Sequence, residues 1–408
     1  MDEKHELRLR RRAIRWRLKG VKSKSVLEKV YRSRVWLSKW QKRFDQQGVA
    51  GLHSHSRQPH HTPTTCSPRI VRLIVQTRRR LVKQPVGLIG ARAIRRELRK
   101  VLGKHTPSLA TIKRVLQRRG LVSTPTEAAP AYFPKPLTTV VGILHAMDWT
   151  CRYIEDGPKV YAFHTLNLRT RACAQTIAAD KSSDTVVRHC LHTWKTLGIP
   201  QFLQLDNDAA FCGGYKAPRV FGQFVRLCLS LGIELIFLPM AEPECNGEVE
   251  ELNGLWGHAF WERRRFASFG RVGRASPAFV HWYMKDYAPP VLAEVTPQQA
   301  QRRELKRRLT ASQMAHWSHR WPITAGRIHF IRKVKPDGTI AVLNETWKVS
   351  KRLAGKYVWA TIITHCRRLE IWYQPSTHHD WRLLKTCAYD IPETVARLKP
   401  EFAYSKMA

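Results

Sequence analysis

Apolar residues recur at three- and four-residue spacing through the N-terminal third, then in alternating or continuous runs, so the chain is predicted to be helical first and mixed α/β afterwards. Leu7 to Lys19 is basic and helix-prone, and Gly20 breaks it. Ser25 is placed to cap a short helix, VLEKVY, and Ser33 a longer one, RVWLSKWQKRF. On the longer helix Trp36, Trp40 and Phe44 repeat every four residues and are predicted to form one buried stripe. The opposite face presents Arg34, Ser38, Gln41 and Lys42. A short helix, a turn and a longer helix with such a face make a helix-turn-helix, whose second helix can enter a major groove, with Arg suited to guanine and Gln to adenine.

The pattern then lapses. GVAGLHSHSRQPHHTPTTCSP is rich in Gly, Pro, Ser and His and reads as a linker. His53, His55, His60, His61 and Cys66 match the spacing of no standard zinc module. Helical periodicity returns from Arg69 to Leu121 in IVRLIVQTRRRLV, ARAIRRELRKVL and SLATIKRVLQRRG, with Pro107-Ser108 as a start signal and Gly120 as a stop for the last. This is predicted to be a second helix-turn-helix, with Thr111, Lys113, Arg114 and Arg118 as phosphate or base contacts. The Pro/Ala/Thr-rich Ser123 to Pro136 marks a domain boundary.

From Leu137 strands alternate with helices. TVVGILHAMDWT is an apolar strand ending in Asp148, and KVYAFHTLNL and RACAQTIAA are two more, joined by a turn at Asn167. SDTVVRHCLHTWKTLG is a helix capped by Ser183, PQFLQLDND a strand ending in Asp206, VFGQFVRLCLSLG a helix and IELIFLP a strand. A long helix follows from about Asn246 to Arg265. That order predicts an α/β layer around a mixed sheet. Between Arg327 and Gln374, five short strands with turns at Pro336-Asp337-Gly338 and Ala354-Gly355 predict a small β-barrel. The tail beyond His378 carries no assignable pattern. The expected domains are therefore 1–50, 69–121, 137–290 and 327–375.

Charge adds the partner. The 408 residues carry 71 Lys+Arg against 31 Asp+Glu, a net +40, and Met1 to Leu121 alone holds 33 of the basic and 6 of the acidic residues. About two thirds of the excess thus lies in under a third of the chain, which marks the helical region as a polyanion-binding surface, with double-stranded DNA the expected partner. No run approaches eighteen apolar residues, so a membrane span is excluded, and the N-terminus lacks the apolar stretch of a secretory signal. Nine cysteines without CxxC pairs fit reduced thiols and a cytoplasmic, nucleoid-associated location.

Asp148 and Asp206 at strand ends could share divalent metal with a third acid drawn from Glu242, Glu244, Glu248, Glu250 and Glu251. On the last helix Val249, Leu252, Trp256 and Phe260 form the core stripe, so Glu251 faces solvent while Glu248 and Glu250 flank the stripe on opposite sides. Periodicity does not choose between those two. Oxygen ligands without His or Cys suit Mg²⁺ or Mn²⁺. Two such ions can activate water or a 3′-OH and stabilise the leaving oxygen of a phosphodiester.

HAMDWT, QLDNDAAF and ECNGEVEELN resemble the three acid blocks of the DDE transposases of bacterial insertion sequences, members of the retroviral-integrase superfamily with a ribonuclease H-like core. GVAGLHSHSRQPHHTP, PSLATIKRVLQRRGLV and KVKPDGTIAVLNETWKVSKRLAGKYV resemble the flanking linker, second helical unit and C-terminal barrel of the same family, so nearly the whole chain is covered. The resemblance implies Asp148, Asp206 and Glu250 as catalytic, metal-binding acids, the last through Asn246-Gly247-Glu248-Val249-Glu250. It also implies two Mg²⁺ (or Mn²⁺) ions, metal-dependent nicking and strand transfer of DNA, and a homo-oligomer pairing two element ends. Asp208 departs from the family's usual Gly, Glu248 and Glu251 stand where basic or polar residues are common, and the zinc module of retroviral integrases is absent. Asn207 and Asn246 are expected either to position substrate or to shape a turn and cap a helix. The rival expectations are a transposase-derived DNA-binding protein without catalysis and a metal-dependent nuclease on the same fold.

Overall fold

The computed structural model describes residues 3–54, 66–122, 143–155, 157–212, 219–240, 242–309, 321–376, 379–397 and 402–406. The chain forms two units, Met1–Ser67 and Pro68–Ala408.

The first unit comprises α1 (Glu3–Leu18), α2 (Ser23–Val30), α3 (Arg34–Gln47) and a 3-10 turn at Gly48–Leu52. Ser33 caps α3 by accepting from the Trp36 N–H at 3.2 Å. Helix α2 starts two residues before the expected Ser25, after Lys22, and has no side-chain cap. Of the predicted aromatic stripe only Trp40 is fully buried; Trp36 and Phe44 are half-buried, and Leu37 completes the packing. Trp40 is covered by the Arg10 guanidinium, 3.8 Å from the ring centre, while Arg10 donates to the Leu52 carbonyl at 3.0 Å. An aromatic face thus shields a cation that ties the turn to α1. His55, His60 and His61 lie outside the described residues.

The second unit opens with α4 (Pro68–Lys83), α5 (Ala91–Leu102) and α6 (Leu109–Arg118) around Ile74, Leu81, Ile94, Leu98, Ile112, Val115 and Leu116. Ser108 caps α6, accepting from the Thr111 N–H at 3.2 Å. The Ser123–Pro136 boundary stretch lies outside the described residues.

Beyond it come β1 (Leu144–Tyr153), β2 (Lys159–Asn167), β3 (Cys173–Ala178), α7 (Ser183–Leu197), β4 (Phe202–Leu205), α8 (Ala209–Cys212), α9 (Gln223–Ser230) and β5 (Glu234–Phe237). Then follow α10 (Gly247–Ala259), α11 (Phe269–Ala275), α12 (Pro277–Lys285), α13 (Pro297–Gln301), β6 (Leu305–Leu309), β7 (Arg327–Lys333), β8 (Thr339–Val342), β9 (Glu345–Lys348), β10 (Tyr357–Ile363), β11 (Arg368–Tyr373), β12 (Arg382–Ala388) and β13 (Phe402–Lys406). Among the described residues nine strands form one sheet in the order β12-β11-β10-β7-β5-β4-β1-β2-β3. β1, β2 and β3 pair antiparallel, whereas β1–β4, β4–β5 and β5–β7 are parallel. One face packs on α7 and α9 through Val186, Cys190, Trp194, Phe224 and Cys228. At the β1–β3 end the other face packs on α10 and α12 through Leu252, Trp256, Phe260 and Phe279. This is the mixed α/β layer expected of the third region.

Several expectations are corrected. Helix α7 is capped by Ser182, which accepts from the Thr185 N–H, not by Ser183. The regular helix α10 stops at Ala259 rather than Arg265. Strand β1 runs five residues past Asp148, so that acid sits mid-strand. The C-terminal barrel does not close. Its strand β7 pairs with β5 of the core, β10, β11 and β12 extend the same sheet, and β8–β9 stand apart as a ribbon. The apolar edge of β5 needs a partner, and Ile328 and Phe330 supply one, with Phe330 stacked on Phe237 at 5.1 Å. Part of the unassigned tail, β12, is the far edge strand.

The helical part of this unit docks on the core. Val86 and Leu88, in the loop between α4 and α5, enter the cluster around Trp256, Phe260 and Phe266. The Gly87 N–H donates to the Ala259 carbonyl at 3.0 Å. Arg263 donates to the carbonyls of Leu81, Val82 and Gln84, each at 2.9 Å, satisfying the open C-terminal end of α4.

Candidate active site

The last parallel residue pair of β1 and β4 is Ala146–Gln204, and two residues further on along each chain stand Asp148 and Asp206. The alternation of strand side chains puts them on the face of Ala146 and Gln204. That face lies under the start of α10, because Gln204 donates to the Asn246 side chain at 2.9 Å. Glu250 stands in the first turn of the same helix.

Both oxygens of Asp148 are engaged. Oδ1 accepts from the Trp149 N–H and Oδ2 from Asn253 Nδ2, each at 2.7 Å. Burial pushes the Asp148 carboxyl up to about 7; the Trp149 N–H opposes this, the charges of Asp206 and Glu250 add to it, and Asn253 again opposes it. Asp206 is raised too, first by burial, with the Asp208 N–H opposing, the Asp208 charge reinforcing and Lys181 opposing. Asp148 thus senses acids from two other elements, the signature of like charges gathered in a partly dry place.

Neighbouring acids divide by partner. Asp208 Oδ2 accepts from Lys181 at 2.7 Å and Oδ1 from the Ala210 N–H at 2.9 Å, so this departure from the family pattern begins α8 and holds a lysine that also lies 4.3 Å from the Trp149 ring centre. Glu248 pairs with Arg171 at 3.6 Å, on the far side of α10 beside Tyr283 and Tyr287. Glu251 is exposed, and Glu242 binds Lys333 at 3.2 Å and the Tyr357 hydroxyl. The side chain of Glu244 lies outside the described part of the structure. Glu250 is therefore the member of the set that Asp148 senses.

The two asparagines have structural work. Asn207 Nδ2 donates to the Leu238 carbonyl at 2.6 Å, and its Oδ1 accepts from Arg332 at 2.6 Å, tying the end of β4 to β5 and β7. Asn246 precedes α10 without a side-chain cap and instead receives Gln204. Sequence reasoning missed Asn253. Its signal was its position three residues after Glu250, one turn along the same helix face.

Three carboxylates without His or Cys are the donor set of a hard divalent cation, and their mutual repulsion is what such a cation relieves. Among the described residues, no three His, Cys, Asp or Glu side chains lie close enough together to enclose an ion. The acids are coupled without converging. A cleft of about 490 Å³ lies elsewhere on the sheet, lined by Trp359, Trp372, Trp381, His329, Glu234 and Glu370 among others, and holds none of the three.

On the helical surfaces Arg34, Ser38 and Lys42 are exposed, while Gln41 is half-buried and donates to Asp45 at 2.9 Å. Lys113, Arg114 and Arg118 are exposed; Thr111 is partly occupied by the Ser108 cap, 3.0 Å between hydroxyls. The described residues include no helix long and apolar enough to cross a membrane.

Residues 36–116 match the family profile of a homeodomain-like domain. Among solved structures the chain is similar to the HTLV-2 integrase catalytic core domain in complex with magnesium, at 16% identity and TM-score 0.31, over 39% of this chain and 94% of that one. It is also similar to the simian T-cell lymphotropic virus intasome in complex with the PP2A regulatory subunit B56 gamma, at 15% identity and TM-score 0.32, over 74% of this chain and 96% of that one. The catalytic core domain of BIV integrase matches at 16% identity and TM-score 0.26, over 38% of this chain and 90% of that one.

Proposed function

We propose that the chain is a transposase of the DDE type that binds the ends of a mobile DNA element, nicks them and joins the freed 3′ ends to target DNA. The observation that carries this reading is the coupling of Asp148 to Asp206 and Glu250, brought from β1, β4 and α10 onto one face of the sheet. The acid blocks of the sequence and the homeodomain-like match over 36–116 support it.

In this reading Asp148, Asp206 and Glu250 would hold two Mg²⁺ or Mn²⁺ ions, and the chemistry these would supply is charge for the transferring phosphoryl group and a more acidic attacking hydroxyl. Asn253 and the Trp149 N–H orient Asp148. Lys181, beside Asp208, offers a cation near the mouth of the site for a DNA phosphate. Exposed Arg34, Ser38, Lys42, Lys113, Arg114 and Arg118, with Gln41 and Thr111 after small rearrangements, contact the duplex on the nucleoid. One phosphodiester replaces another, so joining needs no external energy source. Two ends must be held together, which calls for a homo-oligomer on DNA.

The homeodomain-like match over 36–116, which involves none of the acids, also fits a second reading, a sequence-specific DNA-binding protein without catalysis. Purified protein, end-labelled DNA and Mg²⁺ decide between them. Joined products lost in Asp148→Asn, with end binding retained, support the transposase. Nicks without joining indicate a nuclease, and binding alone the non-catalytic protein.

A further inference from the structure

Asp148 is the terminus of a chain of hydrogen bonds that runs through four elements, half-buried at the acid and buried at its far end. Asn253 Nδ2 donates to Asp148 Oδ2 at 2.7 Å. The other end of that amide, Oδ1, lies 2.6 Å from Nδ1 of His164 on β2. His164 Nε2 lies 2.7 Å from Nε2 of Gln175 on β3, and Gln175 Oε1 accepts from the Ser276 hydroxyl between α11 and α12. His164 is fully buried, and Gln175 and Ser276 nearly so.

Valence fixes the direction. An ionised Asp148 only accepts, so Asn253 presents its NH₂ to the acid and its oxygen to His164. Nδ1 of His164 must then carry the proton. Trp256 and Phe279 pack edge-on to the ring, 5.8 and 6.3 Å between centres, and such apolar surroundings keep it neutral. Nε2 is thus a lone pair, satisfied by the Gln175 NH₂, whose own oxygen takes the Ser276 proton. Every donor points toward Asp148, and aligned bonds of this kind reinforce one another. The chain also fixes α10. Asn253 can reach β1 and β2 at once only in one rotation of the helix, and that rotation carries Glu250, one turn earlier, toward Asp148 while Glu248 meets Arg171.

We propose that Asn253, oriented by His164, Gln175 and Ser276, is a positioning residue that holds the Asp148 carboxylate and the rotation of α10 so that the three acids can close on a divalent cation. This rests on the reading of the three acids as a metal centre.

Mn²⁺ binding to the full chain, followed by electron paramagnetic resonance of the free ion, tests it without depending on activity. Asn253→Leu and His164→Leu are expected to weaken binding roughly 10- to 100-fold, as loss of partners behind metal-holding residues does elsewhere. His164→Asn places an amide N–H near the Nδ1 position and should keep binding within about threefold of wild type. In ¹⁵N-histidine spectra the wild type should show His164 as a neutral ring protonated on Nδ1. Unchanged Mn²⁺ affinity in both Leu variants, with only a lower melting temperature, would reduce the chain to a packing device and overturn the proposal. A proton on Nε2 would overturn it as well. A wild type that takes up no Mn²⁺ would instead sink the metal-centre reading, and the positioning role with it.

Discussion

Asp148→Asn is expected to stabilise the protein in alkaline solution while abolishing joining. The wild-type carboxyl is held at about 7 against an ordinary 3.8, chiefly by burial, with Asp206 and Glu250 adding to the shift. The folded state therefore binds this proton more tightly than the unfolded chain does. Its contribution is fully present below pH 3.8 and is lost as pH rises to about 7. Roughly three pKa units at about 1.4 kcal/mol each make a penalty of about 4 kcal/mol above neutrality. Asn removes the charge but turns an NH₂ toward either the Trp149 N–H or Asn253, a mismatch costing about 1–2 kcal/mol. The net gain at pH 8 is thus about 2–3 kcal/mol, falling away toward pH 4. Urea unfolding of both proteins from pH 4 to 8, without divalent ions, measures it. Adding Mg²⁺ should then stabilise the wild type and leave the variant unmoved. A variant no more stable than wild type at pH 8, or an advantage that persists unchanged at pH 4, would refute the electrostatic argument.

Other outcomes follow from the same geometry. Glu250→Gln should remove Mg²⁺-dependent nicking by at least about a hundredfold, while Glu248→Gln, which loses only its partner Arg171, should stay within a few-fold in a gel assay. Replacing Lys113, Arg114 and Arg118 together with Ala should lower the slope of log affinity against log salt by about 3, read from fluorescence anisotropy on a duplex. Gly87→Val meets a backbone at φ +125° and the Trp282 indole 3.1 Å from the new Cβ, so a loss of about 2–3 kcal/mol and early proteolysis between α4 and α5 are expected. His164 is lowered by burial to about 4 from 6.5, with Asn253 opposing. The unfolded chain therefore binds this proton first, and this residue's share of stability should fall as pH drops from 6.5 to 4, by up to about 3 kcal/mol relative to His164→Asn in pH-dependent unfolding.

What was legible in the sequence was what is local. Ser33 and Ser108 cap helices because a hydroxyl needs only the N–H three residues on. Asp148 and Asp206 stand out because apolar runs lead into them. Local cues also mislead by small steps: Ser182 and Ser183 are adjacent, and only the backbone decides which one caps. Long-range choices were invisible. Glu248 and Glu250 are equivalent by periodicity until Arg171, some eighty residues earlier, claims one of them. IHFIRKV reads equally as a barrel strand and as a partner for IELIFLP, and only the open edge of β5 settles the matter. Asn253 drew no notice in the sequence because its partners Asp148 and His164, and Gln175 and Ser276 behind them, are each distant in the chain.

The seam between α4–α6 and the sheet has a consequence for where chemistry can fall. Val86 and Leu88 are sunk among the aromatic residues at the end of α10, Gly87 is bonded to that helix, and Arg263 clasps the last carbonyls of α4. Helix α6, the strand acids Asp148 and Asp206 and Glu250 of α10 therefore belong to one compact unit, tied together at this seam. If the chain acts as proposed, bound DNA would be measured as by a caliper, the phosphate under attack lying a set number of base pairs from the sequence that α6 reads. Lengthening the loop at Gly87 should move that phosphate or blur it, while leaving the sequence preference of the reading helix as it was.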